Sequence, residues 1–264
     1  MSSYFGIFKM SFKGELQYRM KAISGVATQF FWGIMYVYLY TAFMKGGVEN
    51  FTISQMASYI WLGQAFFAIR FITLPKNIGQ EITNGDVCYR FVRPISLYNN
   101  LYATSLGEKL SQTLLRCLPI MIITLLLPAN VGLMLPVSFP AFCLFLLSLI
   151  IGWMLTSAIA MLSVYLTFKT LKAKGSYMFV NVITMVLGGA YVPIPLMPQV
   201  LQTALNYMPF RYITDLPFRI YIGNIGIQES LLYILISLAW LVGIILIGKL
   251  LIKLASKKAI IQGG

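Results

Sequence analysis

The chain has 264 residues, 59% of them hydrophobic and only 10% charged, which excludes an ordinary water-soluble domain and makes the bilayer its solvent. Its net charge of +13 would suit a nucleic-acid binder, but the twenty Lys and Arg residues sit mostly between apolar runs and accompany no nucleic-acid-binding motif. No nucleic acid is therefore expected as a partner, and three scattered cysteines (Cys88, Cys117 and Cys143) suggest neither a disulfide framework nor a metal cluster.

Residues 1–22 read as an interfacial amphipathic helix. At about 100° per residue Phe5, Phe8, Phe12 and Leu16 share one face, while Lys13, Gln17 and Lys21 lie on another. The segment is polar-interrupted and leads straight into a full-length apolar run, so it does not read as a cleaved signal. Apolar runs of spanning length then predict six transmembrane helices, over 23–44, 57–74, 110–127, 141–168, 177–192 and 231–248. The fold class is all-α, a single polytopic membrane domain over 1–264, with no internal repeat. Two connections are long. The first covers 75–109, and the second, 193–230, holds five of the eleven prolines.

In a six-span layout most basic residues gather on one side: Lys9, Lys13, Arg19, Lys21, Lys76, Arg90, Arg93, Lys109, Lys169, Lys172, Lys174, Lys249, Lys253, Lys257 and Lys258. Only Lys45, Arg211 and Arg219 lie opposite. An excess of Lys and Arg marks the cytoplasmic face, which puts both termini and the 75–109 connection inside and 193–230 outside. The expected location is the bacterial cytoplasmic (inner) membrane.

The chain has no histidine, so imidazole base catalysis, a Ser-His triad and a His-ligated metal site are excluded. All seven acidic residues fall outside the spans as drawn, which disfavours a proton-coupled carrier with an ionisable relay in its bundle. No G-x-x-x-x-G-K-[ST] phosphate loop is present, so nucleotide energy has to come from a partner. The clearest charge inside a span is Arg116, a candidate for a transport pathway whose long side chain is equally able to reach the membrane interface. Arg70, near the end of the second span, reads as a residue that snorkels to the interface.

In the 75–109 connection, Ile78, Ile82 and, past the Asn84-Gly85 turn, Val87 can present an apolar edge, with Glu81, Asp86, Arg90 and Arg93 adding polar contacts before Pro94. In 193–230, apolar residues recur at helical spacing on either side of Pro209, predicting two short helices, and Pro193, Pro195 and Pro198 end the fifth span. Those helices can fold back into the outer interface, and Tyr207, Phe210, Tyr212, Phe218 and Tyr221 suit an aromatic belt.

The run from Gly79 through Glu81, Ile82, Gly85 and Asp86 to Arg90, Arg93, Pro94 and Ser96 resembles the cytoplasmic loop of ABC exporter permeases. Gly188-Gly189-Ala190-Tyr191-Val192-Pro193, followed by Pro195, Pro198, Pro209-Phe210 and Pro217, is similar to the type-2 export permease pattern. The resemblance covers nearly the whole chain. It implies a half-transporter: two such subunits, identical or homologous, form the pathway, and separate ABC ATPase subunits carry ATP and Mg, so this chain holds no cofactor. It further implies that Gly79, Glu81, Ile82, Gly85, Asp86, Arg90, Arg93 and Pro94 couple to the ATPase. Pro193, Pro195, Pro198, Pro209, Phe210 and Pro217 would form an external gate. The competing reading is an integral membrane enzyme or an assembly scaffold for envelope components, with the same spans and no alternating pathway.

Overall fold

Side-chain caps set where the long helices begin. The computed structural model describes residues 2–44, 51–92 and 94–262. In it Thr52 and Gln55 form a reciprocal capping box at the start of one helix, while Ser96 and Ser138 each accept a backbone N–H at the start of two others. The helices are α1 (Ser2–Leu16), α2 (Arg19–Met44), α3 (Ile53–Ala65), α4 (Phe67–Arg70), α5 (Ile78–Asn84) and α6 (Cys88–Phe91). They continue with α7 (Leu97–Leu125), α8 (Phe139–Thr170), α9 (Ala173–Leu187), α10 (Gln199–Asn206), α11 (Arg211–Tyr221) and α12 (Ile227–Gln262). A single 3-10 turn, Ile194–Leu196, precedes α10. Among the described residues there is no strand, so the chain is all-helical.

Among the described residues three helices are long and apolar enough to cross a membrane, over Ala22–Met44, Phe139–Thr170 and Ile227–Lys257, and Ala173–Leu187 is a shorter apolar helix. The other expected spans look different. The second is broken at Phe66 into α3 and α4 and stops at Arg70, while α7 starts at Leu97, well before the apolar run at 110–127. The expected 1–22 helix also divides: α1 ends at Leu16, and Arg19 already belongs to α2.

The central element is α8, which packs against α7, α9, α11 and α12. Small residues bring its neighbours close: a Cβ on Gly152 would stand 2.2 Å from the Ile213 carbonyl oxygen of α11. Its buried Thr156, Ser157 and Thr167 hydroxyls donate to carbonyls four residues back, whereas Trp153 Nε1 and Ser163 Oγ of the same helix are buried without a partner among the described residues. On the other flank Trp61 of α3 is fully buried against Gly33 of α2 and donates to the Val131 carbonyl at 2.6 Å. By contrast Phe31, Tyr38 and Phe43 of α2, and Leu235, Val242, Leu246 and Leu250 of α12, are exposed. Such a continuous apolar surface is stable only against lipid or another protein.

Candidate functional site

At one end of the bundle, residues 71–77 form a strap from α4 to α5. Lys109 Nζ donates to the Phe71 carbonyl, Asn181 Oδ1 of α9 accepts from the Ile72 amide at 2.8 Å, and Glu108 Oε1 accepts from the Lys76 amide at 3.3 Å. Asn77 and Gly85, both in the left-handed region (φ 67° and 85°), bracket α5, and Gly85 takes that conformation without strain. α5 then lies close on α9, for a Cβ on Gly79 would sit 2.8 Å from that of Ala173.

The apolar edge expected to face a partner is turned inward: Ile78, Ile82 and Val87 are buried in this chain's own core. They anchor the segment, so Ile82 has no free surface to offer. Glu81 and Arg90, also expected as outward contacts, are bound to each other in a two-pronged ion pair that includes Arg90 Nη2 to Glu81 Oε1 at 2.8 Å. Arg90 Nη1 reaches on to Asn100 Oδ1 of α7 at 3.2 Å. What remains outside is the tip. Thr83, Asn84, Gly85, Asp86 and Pro94 are exposed, together with Tyr89 at 76% and Val92 at 84%. An aromatic and an aliphatic side chain left exposed mark a contact surface that sequence reading passed over. Arg93 and Lys45 lie outside the described residues.

Beside the tip, a cleft of about 670 Å³ opens between α1, the α5–α6 segment and α7. Glu15, Glu81, Asp86 and Glu108 bring carboxylates to its walls, with Lys76 and Arg90 among them. Burial pushes the Glu108 carboxyl up to about 7; the Lys76 amide pulls it back and nearby Glu15 pushes it further. Lys109, expected as an interfacial cation, is buried, and desolvation lowers its ammonium to about 8 against the attraction of Glu108.

At the opposite end, the 193–230 segment divides in two. α10 lies on the surface, with Val200 and Tyr207 exposed, whereas α11 is buried along almost its whole length among α8, α3, α4 and α12. Tyr212, Phe218 and Tyr221 are thus core residues and not members of a belt. Pro193, Pro195, Pro209 and Pro217 are buried, Phe210 is half-buried and Pro198 is exposed. Pro193 and Pro198 fit because they precede short helices, whereas Pro217 lies inside α11, where packing holds the helix together.

Polar bonds hold α11 in place. Tyr59 Oη donates to Asp215 Oδ1 at 2.7 Å, Arg211 Nε donates to Asp215 Oδ2 at 3.2 Å, and Gln55 Nε2 donates to the Ile222 carbonyl at 3.1 Å. Asp215 is completely buried, although it falls outside the spans as drawn from the sequence. The cause is the packing of α11 among α8, α3, α4 and α12, which charge counting does not reveal. Arg70 is likewise buried, with Nε on Thr214 Oγ1 at 3.1 Å and its guanidinium 5.4 Å from the centre of the Phe218 ring. It points back toward Gly63 of α3 and into the core, instead of snorkelling to an interface.

The sequence profile of a family described as "ABC-2 family transporter protein" matches residues 23–259. The chain belongs to this family. No curated protein matches it. The chain is thus a multi-pass membrane protein and the permease component of an ABC transporter. Arg116 of this permease is half-buried and packs its guanidinium over Gly25 of α2, where a Cβ would stand 2.9 Å from Nε. Gln112, one turn earlier, donates to Glu15 of α1 at 3.2 Å, so the charge sits at the junction of α1, α2 and α7.

Proposed function

We propose that the chain is one of two membrane-spanning subunits of an ATP-driven exporter, crossing the bacterial inner membrane six times with both termini in the cytoplasm. Separate ATPase subunits, which bind ATP and Mg, dock on the tip at residues 83–92 and on the acidic cleft beside it. The observation that carries this reading is the contrast within one short segment: a base pinned by three hydrogen bonds and three buried aliphatic side chains, and a tip that leaves Tyr89 and Val92 exposed.

A segment built this way transmits displacement. When closure of the ATPases moves the tip, the strap cannot absorb the motion, and α5 passes it to Ala173 at the start of α9. The other end of α9 reaches Gly188, where a Cβ would stand 3.4 Å from the Phe210 carbonyl oxygen at the entrance to α11. α9 thereby links the docking tip to the re-entrant helix, and withdrawal of α11 opens the path outward. Glu81 and Arg90 act as the clamp that keeps α5 and α6 one body.

Replacing Asp86 by Lys and Tyr89 by Ala tests this. Both side chains are exposed, so the double variant is expected to melt within about 0.5 kcal/mol of the native permease. Recovery of the ATPase subunit on affinity purification is expected to fall about tenfold or more, through lost aromatic burial and reversed charge. Unchanged recovery would remove the docking assignment.

A further inference from the structure

Arg70 closes α4 with only 8% of its surface exposed. A guanidinium keeps its charge in any protein environment, so once buried it requires acceptors for its donors and an anion for its charge. Only part of that need is met. Nε is bonded to Thr214, while among the described residues Nη1 and Nη2 meet no hydrogen-bond acceptor. The nearest buried carboxylate, Asp215, already accepts from Tyr59 and Arg211, with Arg219 Nη1 at 4.0 Å. Three guanidiniums therefore surround one buried carboxylate, and Glu229, bonded to Tyr233, stands at the exposed rim.

The structure makes room for that unspent charge. Gly63 leaves its backbone bare beneath the guanidinium, where a Cβ would stand 2.9 Å from Nη1. Two narrow crevices meet at Arg70. One, of about 20 Å³, is lined by Tyr36, Tyr40, Tyr59 and Gln64 and by the Gly189–Pro193 turn. The other, of about 10 Å³, runs between Thr184 and Thr214. At this size the first holds roughly a single water. The first crevice begins at a ladder of rings on α2, Trp32 stacked on Tyr36 at 5.7 Å and Tyr36 on Tyr40 at 5.8 Å, whose Trp32 end is exposed on the apolar face.

We propose that Arg70 recognises the anionic head group of an amphiphilic substrate, which reaches it along the Trp32-Tyr36-Tyr40 ladder once α11 draws back from α3 and α4. The inference rests on the permease reading and assigns its substrate class. The unpartnered Nη donors supply charge-assisted hydrogen bonds to the acid group. The ring ladder accompanies the apolar tail, and Tyr59 and Gln64 border the head group. Widening the crevice and bonding the anion are then linked, because the ligand binds the open arrangement and the closed one excludes it.

The purified permease, in phosphatidylcholine nanodiscs and without any ATPase, is titrated with dodecyl phosphate, with dodecanol as the uncharged counterpart, and with inorganic phosphate; binding is followed by tryptophan fluorescence. Dodecyl phosphate is expected to bind about tenfold or more tighter than dodecanol. Arg70→Gln removes that preference and leaves dodecanol affinity unchanged, and Arg70→Lys keeps part of it. Equal affinity for the two dodecyl probes in the native protein overturns the proposal without reliance on any variant, as does a preference that survives Arg70→Gln. Inorganic phosphate competing as well as dodecyl phosphate would overturn the amphiphile assignment. Because no ATPase is present, a negative result here leaves the docking reading standing, and failure of the docking test leaves this one standing.

Discussion

Glu108 and Lys109 are neighbours in sequence, and the fold treats them in opposite senses. The glutamate ordinarily titrates at 4.5 and in the fold at about 7, so the folded protein holds that proton more tightly than the unfolded chain does. Its contribution to stability is complete below pH 4.5 and is lost as the pH rises through 7. Lys109 is lowered from 10.5 to about 8, so its contribution is complete above 10.5 and is lost as the pH falls through 8. Between pH 5 and 7.5 the Glu108 effect dominates the slope. Melting of the permease across that range is expected to show falling stability in the native chain, amounting to about 2–3 kcal/mol, and a flatter profile in Glu108→Gln. Identical slopes for the two proteins would mean that the carboxyl is hydrated. The residue is legible as an acid in the sequence, but its burial is not, because that depends on the strap delivering the Lys76 amide to it from 32 positions away.

Helix by helix, the close approach of α11 to α8 at Gly152 has a measurable weight. Gly152→Ala puts a methyl group 2.2 Å from the Ile213 carbonyl, a backbone atom that cannot turn aside, and is expected to destabilise the protein by about 1–3 kcal/mol. Gly243, in the middle of α12, has nothing within 4 Å of the same position, and Gly243→Ala is expected to gain about 0.5–1 kcal/mol from helix propensity alone. Chemical denaturation in detergent compares the pair; equal effects would mean that α11 is not seated on α8. The existence of these elements is largely written in the sequence. α2, α8 and α12 are continuous apolar runs, and the prolines around 193–217 announce short helices. Depth is not so written. α10 and α11 both show apolar residues at helical spacing, yet one lies on the surface and the other is core, because the apolar faces look alike and only tertiary packing decides which is covered. The tip of the α5–α6 segment misled for the same reason: its aliphatic residues proved to be its anchor, and Tyr89 and Val92 its free surface.

For the molecule as a whole, the six-span, cytoplasmic-termini layout makes a prediction about its three free thiols. Cys88 is half-buried on α6, Cys117 is buried, and Cys143 is exposed on the apolar surface of α8. In a Cys143→Ser background, a membrane-impermeant maleimide is expected to label Cys88 in inside-out vesicles and to leave it unmodified in right-side-out ones. Labelling from the outer side would reverse the proposed orientation. The family was legible from the combination of the loop after the second apolar run with the proline-punctuated segment, since these mark the two ends that the fold has to connect. The buried cluster around Asp215 was legible only in part: Arg211, Asp215 and Arg219 stand at i,i+4 spacing, but Tyr59 joins them from 156 positions away and leaves no local pattern. At about 1.5 Å per residue, the 32 residues of α8 and the 36 of α12 extend about 48 and 54 Å, against a hydrocarbon core of about 30 Å. Neither can stand upright within that core, so both must lean or project beyond it, and any mismatch left over carries a cost that depends on the thickness of the lipid around them. The packed unit of α8, α11 and α12 thereby meets a mismatch cost that changes with the thickness of the surrounding bilayer.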